Sequence, residues 1–300
     1  MKILKGLSAF PITPIDESGR VDTSALRGLV ARLRDAKVDS IGLLGSTGSY
    51  VYLTREERRR ALEAAIDEVG KQVPIVVGIG ALRTDDAVKL AQDAKSIGAS
   101  VGLLAAVSYA PLTESEVFDH FNTVARASKL PICIYDNPST THFQFTPELI
   151  GRLANNVEIV AAKSDAPSPS EVPKHLANLR GRVPIDFSLG YSSDWNTTEA
   201  LIAGADTWYS VLGGILPEVC VRITRAVQEG NFEEARRLDA GLRPIWDLFT
   251  EFGSLRVVYA IAEILHLNRT VPPLPVQGLS TAAKQRVREA VGSLSKELIG

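Results

Sequence analysis

Residues 158–167 read EIVAAKSDAP. The apolar, β-prone run Ile159-Val160-Ala161-Ala162 delivers Lys163 into a turn of Ser164, Asp165, Ala166 and Pro167. Lysine is rarely buried unless something specific holds it. Of the eleven lysines in the chain, Lys163 alone sits directly at the C-terminal end of a buried-looking strand. One reading is an amine kept partly desolvated and nucleophilic for Schiff-base chemistry. The plainer reading is a strand-end lysine that snorkels to solvent or pairs with Asp165. The stretch by itself favours the plainer reading, and the rest of the chain reverses that preference.

Working outward from it, short apolar runs recur at a steady interval. They fall at residues 7–10, 40–44, 74–78, 101–105, 131–135, 184–187 and 206–210, with the Lys163 strand sixth in order. Helical patterns separate them, and their starts carry capping signals. Asp22 or Thr23 opens one helix, Thr54 with Glu57 and Thr113 with Glu116 form capping boxes, and Thr84 and Thr146-Pro147 begin two more. Eight apolar strands, each followed by a helix, predict a (β/α)8 TIM barrel of the α/β class. An open doubly wound sheet would carry a Gly-rich turn after its first strand, where this chain has Pro11-Ile12-Thr13-Pro14. Beyond Pro217 the strand pattern stops, and helices are expected at 218–228, 233–249, 255–265 and 281–298. The first closes the barrel (1–228), and the other three form a C-terminal helical appendix (229–300), with Pro272, Pro273 and Pro275 before the last helix.

Composition narrows the function classes. The 300 residues are 45% hydrophobic and 23% charged with a net charge of −2, so no electrostatic reason exists to expect nucleic acid or an anionic membrane as partner. No apolar run approaches the ~20 residues of a membrane span. The short apolar part of the N-terminus runs into Pro11, Pro14 and Asp16, unlike a signal peptide, so a cytoplasmic location is expected. Two cysteines make no disulfide framework, and four histidines show no metal-ligand spacing; no metal or other cofactor is expected.

Functional groups of such a barrel gather at the C-terminal ends of its strands. Strand two ends in Ser46-Thr47, strand five in Tyr135, and strand six in Lys163. Tyr135 and Lys163 are 163 − 135 = 28 residues apart, one βα unit, so they belong to neighbouring strands at one mouth. A free lysine, with a pKa of about 10.4, is mostly ammonium at neutral pH. Burial disfavours the charge and frees the amine to attack a ketone. The protonated imine that results is an electron sink, so carbon–carbon bonds beside the former carbonyl can be made or broken without a metal. A phenol such as Tyr135, linked onward through Ser46, can relay protons. The Gly45-Ser46-Thr47-Gly48 turn offers backbone N–H groups and a hydroxyl to a carboxylate, or is simply a tight turn. A carboxylate there and an imine on Lys163 together describe pyruvate or another 2-oxo acid.

At these residues the sequence resembles the dihydrodipicolinate synthase / N-acetylneuraminate lyase family of Schiff-base pyruvate lyases. The likeness covers essentially the whole chain: TPIDESG at 13–19, the GSTG turn, Tyr135-Asp136-Asn137-Pro138, Lys163, and Gly204-Ala205-Asp206. It implies that Lys163 forms the imine and Tyr135 shuttles protons. Ser46 and Thr47 would serve relay and carboxylate binding beside Gly48, and the main chain at Tyr209 would line the pyruvate pocket. Tyr109 matches a tyrosine that members lend across a dimer interface, which implies a homo-oligomer, usually a dimer of dimers. Departures concern the second substrate: Ser49 replaces the turn's glutamate, Ser164 the acidic residue after the lysine, and Ser108 a second tyrosine. Thr140 stands where synthases carry an arginine that grips the aldehyde's carboxylate, and a threonine makes no bidentate ion pair.

The expected function is therefore a class I lyase or aldolase joining or splitting pyruvate, or a related 2-oxo acid, and an aldehyde. Alternatives within the class are 4-hydroxy-tetrahydrodipicolinate synthase itself, using pyruvate and aspartate semialdehyde, and a sugar-acid or aromatic-aldehyde aldolase or dehydratase. Outside it stands a non-catalytic small-molecule-binding barrel.

Overall fold

The computed structural model describes residues 4–16 and 18–294. Its eight parallel strands are β1 (Gly6–Ala9), β2 (Ser40–Leu43), β3 (Ile75–Gly78), β4 (Val101–Ala105), β5 (Ile132–Asp136), β6 (Ile159–Asp165), β7 (Ser188–Ser192) and β8 (Thr207–Ser210). They pair in sequence order, and β8 closes on β1 through Leu7↔Trp208 and Ser8↔Tyr209, giving the expected closed barrel. A strand alternates its side chains between two faces, so each strand splits its residues between lumen and helices. Phe10, Val76, Leu103, Cys133, Tyr135 and Tyr209 pack together in the lumen. Residues of opposite parity, such as Leu7, Ile41, Ile134 and Trp208, join a second cluster under the surrounding helices.

Local signals account for most of the helix starts. Asp22 accepts from the Ala25 amide at 2.9 Å and caps Thr23–Asp35. Thr113 and Glu116 complete their reciprocal box before Glu114–Ser128. The box expected at Thr54 is only half made. Thr54 accepts from the Glu57 amide, but the Glu57 carboxylate turns to the Val21 amide at 2.6 Å, tying the Arg55–Val69 helix to the loop after β1.

Two expectations need correction. The seventh strand lies at Ser188–Ser192, not at 184–187, which forms a turn closed by the Phe187 amide on the Pro184 carbonyl. Ser-Leu-Gly-Tyr-Ser reads weakly as a strand because its lumen positions, Ser188, Gly190 and Ser192, are small or polar. The helix expected over 233–249 is two, Phe232–Gly241 and Arg243–Phe252, broken where Gly241 and Leu242 precede Pro244. The last helix spans Thr281–Ser293, and the expected continuation to 298 lies outside the described residues, as does Glu17 of the 13–19 motif. The hydrophobic cluster under the helices runs on past residue 229 to Leu294, and Asp239 accepts a hydrogen bond from Thr198 at 2.9 Å, so the C-terminal helices pack directly on the barrel.

Two close approaches shape the lumen. A Cβ on Gly42 or Gly45 would lie 2.2 or 2.6 Å from the Phe10 ring, so both positions must be bare for that ring to lie across the mouth. A Cβ on Gly190 would meet the Thr207 carbonyl oxygen at 2.5 Å and the Tyr209 ring at 2.6 Å. We predict that Gly190→Ala lowers stability by about 1–3 kcal/mol, because backbone and ring must both move. Gly28→Ala, in a helix with open space around the new methyl, should instead raise it by about 0.5–1 kcal/mol. Denaturant midpoints check both signs.

Candidate active site

Leu44, at the end of β2, holds φ at 55°, a left-handed conformation unusual for leucine, and so throws the chain into the Gly45–Gly48 turn. The turn is closed by the Ser49 amide donating to the Ser46 carbonyl at 3.0 Å. The amides of Ser46, Thr47 and Gly48 find no protein acceptor among the described residues, an arrangement suited to an anion. Ser46 Oγ lies 2.9 Å from the Tyr135 hydroxyl, and the Asn137 side-chain amide donates to that same hydroxyl at 3.0 Å. With Asn137 filling an acceptor position, the phenol can give its own proton to Ser46, whose hydroxyl hydrogen is then free to point elsewhere.

β5 and β6 are in register with Tyr135 opposite Lys163. Lys163 is 6% exposed, which excludes snorkelling. Its Nζ sits 4.0 Å from the centre of the Tyr135 ring and 5.8 Å from that of Phe10. Among the described residues no carboxylate lies within ion-pair distance of it. Asp165 instead accepts from the hydroxyls of Ser192 (3.1 Å) and Ser193 (3.4 Å). Neither half of the plainer reading of Lys163 is met.

The amine opens into a cavity of about 520 Å3 at the C-terminal mouth of the barrel. Of the expected site residues, Lys163, Tyr135, Ser46, Thr47, Thr140 and Tyr209 line it. The Tyr209 ring is fully buried edge-on to Phe10, and its hydroxyl lies 3.5 Å from Cys133 Sγ. Gly48 does not line the cavity; a Cβ there would lie 2.9 Å from the Leu44 backbone and 3.1 Å from Thr13 Oγ1. Tyr109 is wholly exposed on the loop after β4, beside a separate hollow with Thr141 and Phe143. Thr140 directs its hydroxyl to the Asn137 carbonyl at 3.2 Å.

Sequence reasoning missed Asn137, Asp165, Asp194, Ser192, Ser193 and the wall contributed by Phe249 and Leu255. Asn137 and Asp165 stand inside stretches already singled out, but only the folded register shows their side chains turned to the cavity. Asp194 is fully buried and takes four hydrogen bonds, from Trp208 Nε1 (2.8 Å), Ser210 Oγ (3.3 Å) and the amides of Val211 (3.3 Å) and Leu212 (2.7 Å). Burial still pushes its carboxyl up to about 6 against those donors. A second hollow of about 330 Å3, where Thr84 meets His120 at 2.9 Å, contains no lysine and no cysteine.

Comparison with known proteins agrees with this geometry. Residues 3–294 match the profile of the Dihydrodipicolinate synthetase family. The chain belongs to that family. It is 31% identical over 290 residues to the 4-hydroxy-tetrahydrodipicolinate synthase of Gluconacetobacter diazotrophicus, covering 96% of each chain. The Coxiella burnetii enzyme of the same name is 28% identical over 281 residues, 93% of this chain and 94% of that one. Among solved structures, a dihydrodipicolinate synthase from Agrobacterium tumefaciens superposes with a TM-score of 0.95 at 55% identity, over 97% of this chain and 98% of that one. The dihydrodipicolinate synthase of Aquifex aeolicus gives 0.91 at 27% identity over 99% and 100%. Members of the family are lyases, and so is this protein.

Asp136, next to Tyr135, points away from the lumen and accepts from the Phe145 amide at 3.3 Å. Burial pushes its carboxyl up to about 7; Asp165 adds to the rise, and the Phe145 amide and Lys163 oppose it. A carboxyl whose folded pKa is raised holds its proton better in the folded state, so stability falls as pH rises from about 4 to about 7. Asp136→Asn keeps the acceptor and removes the charge. We predict that it stabilises the protein by about 1–3 kcal/mol at pH 8 and by little at pH 4. Denaturant melts across pH check this, and a difference from the parent that does not vary with pH would contradict it.

Proposed function

We propose that the protein is a class I lyase that forms an imine between Lys163 and pyruvate or a related 2-oxo acid, then makes or breaks a carbon–carbon bond to an aldehyde. One observation carries this reading: a buried lysine amine with no carboxylate partner among the described residues, 4.0 Å from the ring of a tyrosine whose hydroxyl is bonded to Ser46. The amine adds to the keto carbon, giving a carbinolamine. Loss of its hydroxyl as water, with a proton delivered through Tyr135 and Ser46, gives the protonated imine. Removing a proton from the adjacent carbon yields the enamine, which attacks the aldehyde. Water then hydrolyses the product imine and restores the amine; cleavage runs the same steps backwards. The unaccepted amides of Ser46 and Thr47 suit the acid's carboxylate. No step calls for a metal.

The names of the curated relatives favour 4-hydroxy-tetrahydrodipicolinate synthase as the second reading, with aspartate semialdehyde as the aldehyde. Thr140, in the place of the expected arginine, argues for a different one. A fully exposed Tyr109 suits a side chain that a second copy would cover, so we also propose a homo-oligomer, working in the cytoplasm on small molecules.

Borohydride reduction in the presence of pyruvate, followed by peptide mapping, should place a stable adduct on Lys163. An unmodified Lys163 under saturating pyruvate would sink the lyase reading. Tyr135→Phe keeps the ring beneath the amine and removes the proton relay, so kcat should fall roughly 10²–10⁴-fold while the adduct still forms, more slowly.

A further inference from the structure

We propose that Asp165 selects the second substrate: a neutral aldehyde bearing hydroxyl groups, against one bearing a carboxylate. This rests on the reading of Lys163 as the imine-forming residue. Asp165 is two residues beyond Lys163 on β6. In a strand such positions share a face and lie roughly 6.6 Å apart, so a partner approaching the imine's neighbouring carbon arrives beside this carboxylate. Oδ1 of Asp165 takes the Ser192 and Ser193 hydroxyls. Oδ2 has no protein donor among the described residues and is left to a ligand.

The surroundings fit the same class of molecule. Lys163 is the only cation among the described residues lining the cavity, and at the enamine stage, when the aldehyde is met, its nitrogen carries no charge. The cavity's other carboxylate, Asp194, is committed to its four internal donors. Toward solvent the walls offer the hydroxyls of Ser139, Thr140 and Ser254 and the ring of Trp195. A substrate carboxylate placed here would meet a like charge at short range with no guanidinium to offset it. Hydroxyl groups would find acceptors and donors at each step along the wall. Arg256, an exposed residue, comes within 3.6 Å of where a Gly253 Cβ would stand at the rim, but it does not line the cavity.

The test uses pyruvate with two aldehydes of similar size, glyceraldehyde and succinic semialdehyde, and borohydride trapping on the same preparations. Wild-type kcat/KM should be about ten-fold or more in favour of glyceraldehyde. Asp165→Ala should reduce that ratio about ten-fold or more while Lys163 remains trappable by pyruvate. Asp165→Asn, which keeps an acceptor oxygen, should recover part of the glyceraldehyde turnover yet not the discrimination. Equal losses for the two aldehydes in Asp165→Ala would overturn the role of Asp165. A wild-type preference for succinic semialdehyde would overturn the substrate class, and its removal by Arg256→Ala would give the selection to the rim instead. In both cases the pyruvate adduct still forms, so the imine reading stands; a wild type with no adduct overturns both.

Discussion

Everything at the barrel mouth depends on one constraint: an amine buried with no carboxylate within ion-pair distance among the described residues. Ring faces substitute for a counter-ion, with Tyr135 at 4.0 Å and Phe10 at 5.8 Å. Ring faces attract a cation, yet a π-face forms no hydrogen bond strong enough to tie up the nitrogen's reactive position. The rest of the lumen serves to keep those rings in place. Gly42 and Gly45 make room for Phe10, Gly190 makes room for Tyr209, and the edge-on contact of Phe10 with Tyr209 at 6.1 Å joins the two sides.

The phenol beneath the amine faces the opposite demand, since it must be hydrogen-bonded in a defined direction. Asn137 donates to its oxygen and Ser46 stands ready to receive its proton. In the proposed mechanism that puts proton traffic on one side of Tyr135 and the amine on its face, so a single side chain carries two duties without conflict. Leu44's left-handed backbone belongs to the same arrangement, because it turns Ser46 toward β5 instead of letting β2 continue.

The architecture was legible from apolar runs and caps because both are local. Where reading failed, the determining contact was distant. Ser188–Ser192 looks unlike a strand until Tyr209 and Thr207 are seen to need Gly190 bare. The Glu57 carboxylate leaves its own helix cap for Val21, a choice the Thr54–Glu57 spacing cannot reveal. Lys163 and Tyr135 could be paired from the βα interval alone. Asp165 could not be separated from a counter-ion for Lys163 until its hydrogen bonds to Ser192 and Ser193 were known.

The cavity has two authors. Its inner half is written by strand ends: Lys163, Tyr135, and the turn after β2. Its outer half is written by loops and by Phe249, Gly253 and Leu255, at the junction of two C-terminal helices that lie outside the barrel's eight repeated units. Mutations at that junction can accumulate without disturbing the rings that hold the amine. A gene duplicate could thus drift to a new partner molecule while inheriting the bond-forming step unchanged.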